Sequence, residues 1–361
     1  MPEQSRALQA AACMLTDWFI LTAHDDVRWL TGFSGSTSTA LLSATGEVHL
    51  LVDGRYHERA RDDATAAGAD VTVHRVSART DVLDTVERIV GGAAVGVDPA
   101  TVTLAVHDEF ASVVHLERSP SPCRGPRRVK DTREVELIAR CAGIAGAALE
   151  GVVAAGLAGD TERGVRLRLD AAMLELGADD VSFATIVASG PNGARPHHEP
   201  TDRVIVAGDL VVIDMGAALG GSRSDMTRTV RVGSVSPELA TMWAIVGEAQ
   251  QAGLDTVRAG VPGRAVAAAV RAVFAKHGVE HEYLHGTGHG VGLVIHEQPI
   301  LGPACGAELL EGEVVTVEPG LYRGGTGGVR IEDLVVVTAT GCRILTGTPK
   351  ELSCPPSAPT T

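Results

Sequence analysis

The chain has 361 residues, of which 45% are apolar and 21% charged, and this length predicts two domains of ordinary globular composition. Its formal net charge of −14 argues against a nucleic-acid partner, because phosphate binding requires a basic face. No apolar run approaches the ~20 residues of a membrane span, and the start MPEQSRALQAAAC lacks the features of a signal peptide, so we expect a cytoplasmic protein without a membrane partner.

The first third of the chain alternates strand and helix patterns, which predicts a small α/β domain over residues 1–122. The clearest predicted elements are the strands Thr39–Leu42, Val48–Val52 and Ala94–Val97 and the helix Tyr56–Ala67. The segment Arg118–Arg128 is rich in Pro, Ser and Arg and has no periodicity, which predicts a linker.

Residues 123–352 combine helices with short strands, which predicts a second domain of the α+β class. Asp131 followed by Glu134 matches a capping box at the start of a helix that runs to about Ala155. The other predicted helices run from Asp160 to near Gly177, over Pro237–Ala259 and over Arg264–His277. The tail 353–361 is rich in Pro, Ser and Thr, and we expect it to be disordered.

A first pair of acids lies in a predicted β-hairpin, VVIDMGAALGGSRSDMTRTV, from Val211 to Val230. If Leu219 and Gly220 form a two-residue loop, Asp214 lies opposite Asp225. Cross-strand Cβ atoms are roughly 4.5–5.5 Å apart, and like charges placed there repel each other. A shared proton or a bound cation would compensate for this repulsion, and the rest of the chain favours the cation.

A second pair, Glu318 and Glu332, flanks a glycine-rich loop in EVVTVEPGLYRGGTGGVRIEDLVVV. If both hairpins belong to one sheet, they direct their acids at a common face. Strand-borne acids usually lie on solvated faces. Here, however, Asp214 and Glu332 interrupt strongly apolar strands, and unpaired acids at such places are expensive to desolvate. We therefore favour a site over a solvated surface.

Histidines accompany glycines in YLHGTGHGVGLVIHEQP, which contains His285, His289 and His296. The spacing of the first two suits a helical metal pair, but so many glycines disfavour a helix. The glycine spacing also does not match a dinucleotide-binding loop; instead, glycines allow the backbone to approach a ligand or another strand. His197 in SGPNGARPHHEP is a fourth candidate, and its neighbour His198 is given less weight because adjacent side chains point in different directions.

Four carboxylates and one imidazole suit Mn²⁺, Co²⁺ or Zn²⁺ better than Ca²⁺, which prefers oxygen ligands alone. With so many acids, two metal ions are more plausible than one. A two-metal site can hold a bridging hydroxide and polarise a carbonyl, which predicts hydrolytic chemistry.

Five segments in chain order, VIDMG, SDMTRT, HGTGHGVGLVIHE, VEPGLY and VRIED, resemble the metallopeptidase family with the pita-bread fold. That family includes Xaa-Pro aminopeptidases, prolidases and methionine aminopeptidases, and the resemblance covers about Val129 to Leu345. The segments WLTGFSGSTSTALL and LLVDGRYHERA resemble the N-terminal domain of the Xaa-Pro peptidase and creatinase branch, which methionine aminopeptidases lack. The resemblance implies a creatinase-like N-terminal α/β domain before a pita-bread catalytic domain.

The resemblance also implies a set of metal ligands. Asp214 would bind one metal ion, and Asp225 and Glu332 would bridge both ions. His289 and Glu318 would complete the second ion's ligands. Creatinases share the fold but lack this ligand set, which is complete here.

Further roles follow from the same resemblance. Glu318 would act as general base near the bridging water. His285 and His296 would position the substrate and stabilise the charge on the attacked carbonyl oxygen, and Arg330 would orient a carboxylate. His197 would serve as a proton shuttle or substrate contact, although the doublet leaves open whether it or His198 is the functional residue.

The implied activity is metal-dependent hydrolysis of the bond between an N-terminal residue and proline by a metal-bridging hydroxide. We expect two Mn²⁺ ions, with Co²⁺ or Zn²⁺ as alternatives, and small peptide substrates with proline in the second position. The DGRY segment, Asp53–Tyr56, is closer to aminopeptidase P than to prolidases. A prolidase restricted to dipeptides and a non-catalytic peptide-binding scaffold are the alternatives. The N-terminal domain mediates dimers in such relatives, which predicts a homodimer.

Overall fold

The computed structural model describes residues 5–356 and divides the chain into two compact units, Met1–Arg127 and Arg128–Thr361. The predicted boundary lies between residues 122 and 123, five residues earlier. The difference arises because the segment expected to be a linker is packed into the first unit. Within it, Ser121 Oγ donates to Asp26 Oδ2 at 2.5 Å, and Arg127 Nη1 donates to Asp26 Oδ1 at 2.6 Å. Buried acceptors therefore hold this segment in place, and the boundary between the two units falls near its end, within the predicted linker.

The first unit is a mixed α/β domain around a six-stranded sheet with the order β4-β3-β2-β1-β5-β6. Its helices and strands are α1 (Arg6–Ala11), β1 (Trp18–Leu21), α2 (His24–Thr31), β2 (Thr39–Ser43), β3 (Val48–Asp53), α3 (His57–Ala67), β4 (Thr72–Val76), α4 (Arg79–Val90), β5 (Val95–Val97), α5 (Leu104–Ala111) and β6 (Leu116–Arg118). Strand β2 runs antiparallel to both neighbours, and the other pairings are parallel. Fully buried Leu41, Val86 and Phe110 lie in its core, so the predicted α/β class is confirmed.

The second unit combines four long helices with two larger and two smaller sheets. Its elements are α6 (Thr132–Ala154), α7 (Glu162–Glu175), β7 (Asp180–Val181), β8 (Ile186–Ser189), β9 (Leu210–Met215), β10 (Ala217–Leu219), β11 (Ser222–Arg223), β12 (Met226–Val232), α8 (Pro237–Thr256), α9 (Gly263–Lys276), β13 (Gly288–Gly290), β14 (Glu297–Leu301), β15 (Val314–Val317), β16 (Gly320–Arg323), β17 (Gly327–Arg330), β18 (Asp333–Val337), β19 (Cys342–Ile344) and β20 (Leu352–Cys354). The larger sheets have the orders β20-β12-β9-β8 and β14-β13-β15-β18-β19. This arrangement confirms the predicted α+β class.

Helix α6 begins as the sequence predicts. Asp131 Oδ1 accepts from the Glu134 backbone N–H at 2.8 Å, and Glu134 Oε2 accepts from the Asp131 N–H at 3.0 Å. By length and composition, α6 would also be able to cross a membrane, which the sequence analysis did not expect. Half of that stretch is buried, and Cys141, Ala145 and Leu149 pack into a core with β9 and β12. A core helix of a globular domain meets the same length and composition criteria, so this helix is weak evidence for a membrane span.

The C-terminal segment is partly ordered. Strand β20 lies parallel to β12, with Val232 paired to Cys354, and the Cys354 side chain is buried. The prediction of disorder is therefore wrong for residues 353 and 354, because pairing and burial compensate for the cost of ordering them. Residues 357–361 lie outside the described part of the chain.

Candidate active site

The first acid pair lies on the hairpin formed by β9 to β12, but in a different register from the predicted one. Asp214 pairs with Thr227, and the loop is Gly220-Gly221, with φ angles of +59° and +87°. A two-residue hairpin loop of this type requires positive φ at both positions, which Leu219 would adopt only with strain. The direct pairing of Asp214 with Asp225 is therefore wrong. Because the shift is two residues, both acids remain on the same face.

The second acid pair, Glu318 and Glu332, does occupy mirrored positions. Val317 pairs with Asp333 on one side and Gly320 with Arg330 on the other, which places the two glutamates opposite each other between the two ladders. They adjoin the five-stranded sheet, whereas Asp214 lies in the four-stranded sheet, so the two hairpins do not belong to one sheet. The acids converge because the two sheets meet. At that junction the backbone N–H of Glu332 donates to Thr227 O at 3.1 Å.

His289 approaches the acids from strand β13, which packs closely between its two neighbours, β14 and β15. A Cβ atom on Gly288 would lie 2.0 Å from Thr316 O, and one on Gly290 would lie 2.3 Å from Gln298 O. Only glycine fits at these contacts, which confirms the prediction that the glycines allow a close backbone approach.

The five predicted metal ligands form one cluster. Ligand atoms of Asp225, His289 and Glu332 lie within 4.8 Å of one another. Glu318 Oε1 is 3.4 Å from His289 Nε2, and Asp214 is close enough to raise the pKa of Asp225, Glu318 and Glu332. Only 4% of Asp225 and 1% of Glu332 is exposed, so these acids do not lie on a solvated face.

The electrostatics of the cluster are unfavourable without a cation. Burial, and then repulsion by Glu332, Asp214 and Glu318, raises the pKa of Asp225 well above its usual value. Burial also raises the pKa of Glu318 to about 7, with the nearby Arg330 opposing the shift. Among the described residues, Arg330 is the one guanidinium in an ion pair with these four acids, and it contacts only Asp214, which leaves most of their negative charge without a partner.

Individual atoms fit a divalent metal as well. Asp214 Oδ1 and Glu332 Oε1 are buried and have no hydrogen-bond partner among the described residues. Burial lowers the pKa of His289 to about 4, so its ring is neutral at pH 7. Its Nδ1–H is positioned to donate to Gly290 O at 3.1 Å, which leaves the Nε2 lone pair facing oxygens of Asp225 and Glu318. Lone pairs facing one another require a proton or a metal cation between them, and nitrogen with carboxylate oxygens is a donor set for Mn²⁺, Co²⁺ or Zn²⁺.

Arg330 is buried beside this cluster and is held by protein atoms. Its Nη2 donates to Asp214 Oδ2 at 2.7 Å, its Nη1 to Tyr322 Oη at 2.9 Å and Pro196 O at 3.3 Å, and its Nε to Thr227 Oγ1 at 3.0 Å. Four of its five N–H groups are thus engaged. Arg330 thus forms an ion pair with the Asp214 carboxylate and is itself fixed by three further contacts.

Tyr322, which the sequence analysis did not identify, connects Arg330 to His285. Because Tyr322 Oη accepts from Arg330, its own O–H donates to His285 Nε2 at 2.8 Å, and His285 Nδ1–H donates to Gly286 O at 2.7 Å. Burial lowers the pKa of His285 to about 4, which keeps its ring neutral. The sequence did offer one indication of Tyr322: it is one of only three tyrosines in the chain, and it lies in VEPGLY, the segment that also contains Glu318.

The remaining predicted histidines lie at the edge of the cluster. His296 is exposed, and its ring centroid is 4.3 Å from that of His289. His197 is exposed and lies close enough to His285 to contribute to lowering the pKa of that residue. His198, in contrast, is buried and its Nε2 is 2.8 Å from Glu162 Oε2. The structure therefore brings His197, not His198, to the group of candidate residues.

Comparison with known proteins agrees with this geometry. The model of metallopeptidase family M24 matches residues 136–339, and that of the creatinase/prolidase N-terminal domain matches residues 6–128. The chain is 36% identical to the Xaa-Pro dipeptidase of Pyrococcus furiosus, over 68% of this chain and 70% of that protein. Its structure is similar to the Xaa-Pro dipeptidase from Bacillus anthracis, with a TM-score of 0.90, 34% identity and coverage of 97% and 98% of the two chains. It is also similar to the X-Pro aminopeptidase from Thermotoga maritima, with a TM-score of 0.88, 31% identity and coverage of 96% and 99%.

Proposed function

We infer the activity of this chain from its family: it belongs to metallopeptidase family M24, with a creatinase/prolidase N-terminal domain before the catalytic unit. The catalytic unit has the pita-bread fold, and the chain is a metallopeptidase related to Xaa-Pro peptidases. We propose that it hydrolyses the bond before proline in peptides with proline in the second position, and that it acts as an aminopeptidase. The observation that carries the proposal is the buried cluster of Asp225, His289 and Glu332.

We propose that Asp214, Asp225, His289, Glu318 and Glu332 hold a pair of divalent ions, with Mn²⁺ as the first candidate and Co²⁺ or Zn²⁺ as alternatives. When bound, such a pair lowers the pKa of a coordinated water toward neutrality and polarises the scissile carbonyl. The orphaned oxygens of Asp214 and Glu332 and the lone pair of His289 support this assignment.

The protein's own groups supply the rest of the proposed chemistry. Glu318 accepts the proton of the attacking water, since it lies at the cluster and its burial raises its pKa to about 7. His285 and His296 flank the site and position the substrate carbonyl. The nitrogen of the leaving proline must gain a proton, and His197, exposed near His285, is the group we propose to deliver it.

The state of Arg330 supports an aminopeptidase. A dipeptide substrate presents a free carboxylate close to the scissile bond, and recognition by a guanidinium needs paired N–H groups. Arg330 has four of its donors engaged by Asp214, Tyr322, Pro196 and Thr227, so binding such a carboxylate would require breaking one of these contacts. The second candidate is an Xaa-Pro dipeptidase, which is favoured by the names of the relatives from Pyrococcus furiosus and Bacillus anthracis.

The deciding experiment measures hydrolysis of three peptides by protein stripped of metal and reloaded with Mn²⁺, Co²⁺ or Zn²⁺. The peptides are an Xaa-Pro dipeptide, an Xaa-Pro-Xaa tripeptide and a Met-Ala-Xaa peptide. We expect metal-dependent release of the first residue of the tripeptide and no cleavage of the Met-Ala-Xaa peptide. Light scattering on the same sample tests the proposed homodimer, whose mass would be twice the 37.3 kDa of the chain.

The outcomes separate the candidates. Cleavage of the dipeptide alone would establish a dipeptidase and overturn the argument from Arg330. No cleavage of any peptide by folded, metal-loaded protein would return the chain to the class of non-catalytic peptide-binding scaffolds.

A further inference from the structure

We propose that Glu162 is a positioning residue of the active site, which orients His197 by binding its neighbour His198. The inference rests on the proposed function, in which His197 acts on the substrate. Glu162 is the first residue of helix α7 and is fully buried, at 0% exposure. It contacts none of the five candidate metal ligands among the contacts described for it, so any effect on catalysis must pass through the groups that it binds.

Both carboxylate oxygens of Glu162 are saturated with donors from one segment, residues 189–201. Oε1 accepts from the backbone N–H of Ser189 at 2.8 Å, from Ser189 Oγ at 2.7 Å and from Asn192 Nδ2 at 3.0 Å. Oε2 accepts from His198 Nε2 at 2.8 Å, from the Thr201 N–H at 3.0 Å and from Thr201 Oγ1 at 2.6 Å. One buried carboxylate thus fixes the beginning, the middle and the end of this segment.

These contacts determine where His197 lies. Its neighbour on one side, Pro196, accepts a hydrogen bond from Arg330 Nη1 at 3.3 Å, and its neighbour on the other side, His198, is held by Glu162. His198 is buried, whereas His197 is exposed and close to His285. Because Pro196 and His198 are fixed to different partners, the backbone at His197 is fixed as well, and this backbone determines the direction of the His197 side chain.

Glu162 is suited to this role because it stays ionised. Burial by itself raises its pKa, but hydrogen bonds from Thr201, His198, Ser189 and Asn192 outweigh burial and lower the pKa to about 2. A carboxylate accepts all of these bonds, whereas an amide in its place would turn an N–H₂ group toward donors. Glu162→Gln therefore changes little in size and removes the anchoring of the segment.

A double-mutant cycle tests whether Glu162 acts through His197. The variants are Glu162→Gln, His197→Ala and the double variant, all loaded with Mn²⁺ and assayed with the Xaa-Pro-Xaa peptide. We expect each single substitution to lower kcat, by roughly 100- to 10,000-fold for His197→Ala on the scale of a lost proton-transfer group, with metal content unchanged. In the double variant we expect the loss of His197→Ala alone, because Glu162 has nothing left to orient. Losses that multiply in the double variant, or full kcat in Glu162→Gln, would overturn the proposal.

Hydrogen exchange on metal-free protein gives a readout that does not depend on activity. Glu162→Gln should speed backbone exchange in residues 190–201, and unchanged exchange there would also overturn the proposal. The matched control is Asp170→Asn on the same helix, where Asp170 Oδ1 accepts from Thr185 Oγ1 at 2.6 Å. This control should leave both kcat and exchange in the segment as in the wild type.

If Glu162→Gln does not fold, two less disruptive variants of its partner His198 test the same proposal. His198→Gln keeps an N–H donor near the position of Nε2, and His198→Ala removes it. We expect His198→Gln to retain most of the wild-type kcat and His198→Ala to lower kcat as Glu162→Gln does. An equal loss of kcat in both His198 variants would contradict the proposal. A wild-type protein that cleaves no Xaa-Pro peptide would instead refute the proposed function, and the exchange measurement would still decide whether Glu162 anchors the segment.

Discussion

At the scale of single residues, the site consists of carboxylates, each of which costs free energy to bury without a cation as partner. Asp225 and Glu332 are nearly fully buried, and burial together with repulsion by neighbouring acids raises the pKa of both. Among the described residues, the Glu332 carboxylate accepts one hydrogen bond, from Thr227 Oγ1 at 2.8 Å, and its other oxygen has no partner. Such an arrangement costs the metal-free protein stability, and binding a cation would recover it.

We therefore expect Asp225→Asn and Glu332→Gln to have opposite effects on function and on stability. Each should remove nearly all metal and activity, because the neutral side chain is a poor ligand for a divalent ion. In metal-free protein, each should raise Tm, by about 2–4 °C for every ~1 kcal/mol of repulsion relieved. The measurements are metal content, peptide hydrolysis and thermal unfolding with and without a chelator.

Glu313→Gln is the matched control for these variants. Glu313 is also fully buried, but its carboxylate accepts from Arg128 and from the Leu310 backbone N–H, outside the cluster. It should keep its metal, and its metal-free form should be no more stable than the wild type. Full turnover with metal bound in Asp225→Asn or Glu332→Gln would show that the bridging assignment is wrong.

The sequence predicts the acids and histidines better than it predicts the groups that hold them. Asp214 and Glu332 were recognisable because they interrupt apolar strands, and His289 because it lies among glycines. Thr227 carries no such signal and Tyr322 only its place in VEPGLY, since a threonine or tyrosine is ordinary in a strand. Their importance depends on contacts with residues far along the chain, such as the bond between Thr227 and Glu332, which are 105 positions apart.

At the scale of elements, hairpin registers decide which acids meet. The alternating pattern predicted the strands around Asp214 and the face that it occupies, because a side-chain period of two follows from any extended backbone. It did not predict the register, which depends on whether the loop is Gly220-Gly221 or begins at Leu219. The convergence of two sheets on one cluster was also beyond the sequence pattern, which describes each strand separately.

A buried ion pair joins the two sheets behind the acids. Arg228 is fully buried, and its Nη2 donates to Asp333 Oδ1 at 2.7 Å while its Nη1 donates to the Thr227 and Glu332 carbonyl oxygens. We expect Arg228→Met to cost about 3–5 kcal/mol in the free energy of unfolding, because buried Asp333 would keep only Lys350, 3.4 Å away, as a charged partner. Mn²⁺ affinity should fall by about 10–100-fold, because the Glu332 backbone loses its support. Urea unfolding and metal titration by calorimetry measure the two effects.

Two comparisons make this prediction specific. The double variant Arg228→Met/Asp333→Leu should be more stable than Arg228→Met alone, since the charge that then loses its ion-pair partner, on Lys350, is partly exposed to solvent. Arg231→Met lies on the same strand, but its partner Glu351 is exposed and 3.3 Å away, so it should cost less than ~1 kcal/mol. Equal costs for Arg228→Met and Arg231→Met would mean that the buried pair does not hold the sheets together.

At the scale of the whole molecule, the order of the two units and their classes followed from the sequence. Alternating strands and helices predicted the first unit, and the capping box at Asp131 marked the first helix of the second. The boundary and the tail were less predictable, because composition alone cannot show that Ser121 binds Asp26 or that Cys354 is buried beside β12. A polar, Pro-rich segment has the composition of a linker even when it binds buried residues elsewhere in the chain, so composition does not distinguish the two cases.

The metal-free protein as a whole should lose stability as the pH rises above neutrality. Burial raises the pKa of Glu318 to about 7, and burial and repulsion raise those of Asp225 and Glu332. The unfolded chain releases these protons near pH ~4. The folded state therefore binds more protons, and this part of its stability is lost as the pH rises through the folded pKa values.

Two buried histidines act in the opposite direction at lower pH. Burial lowers the pKa of His285 and His289 to about 4, so their contribution is present above the unfolded value of ~6.5 and is lost as the pH falls below it. Between pH ~4 and ~6.5 the acids and the histidines change the free energy of unfolding in opposite directions as the pH rises. Above pH ~6.5 only the acids still change it. Urea unfolding in chelator should therefore show a decrease of ~1 kcal/mol or more between pH 6.5 and 8. Saturating Mn²⁺ should abolish the decrease, and Asp225→Asn should reduce it. If metal-free stability were constant or rose over this interval, the acids would not be buried together as the structure places them.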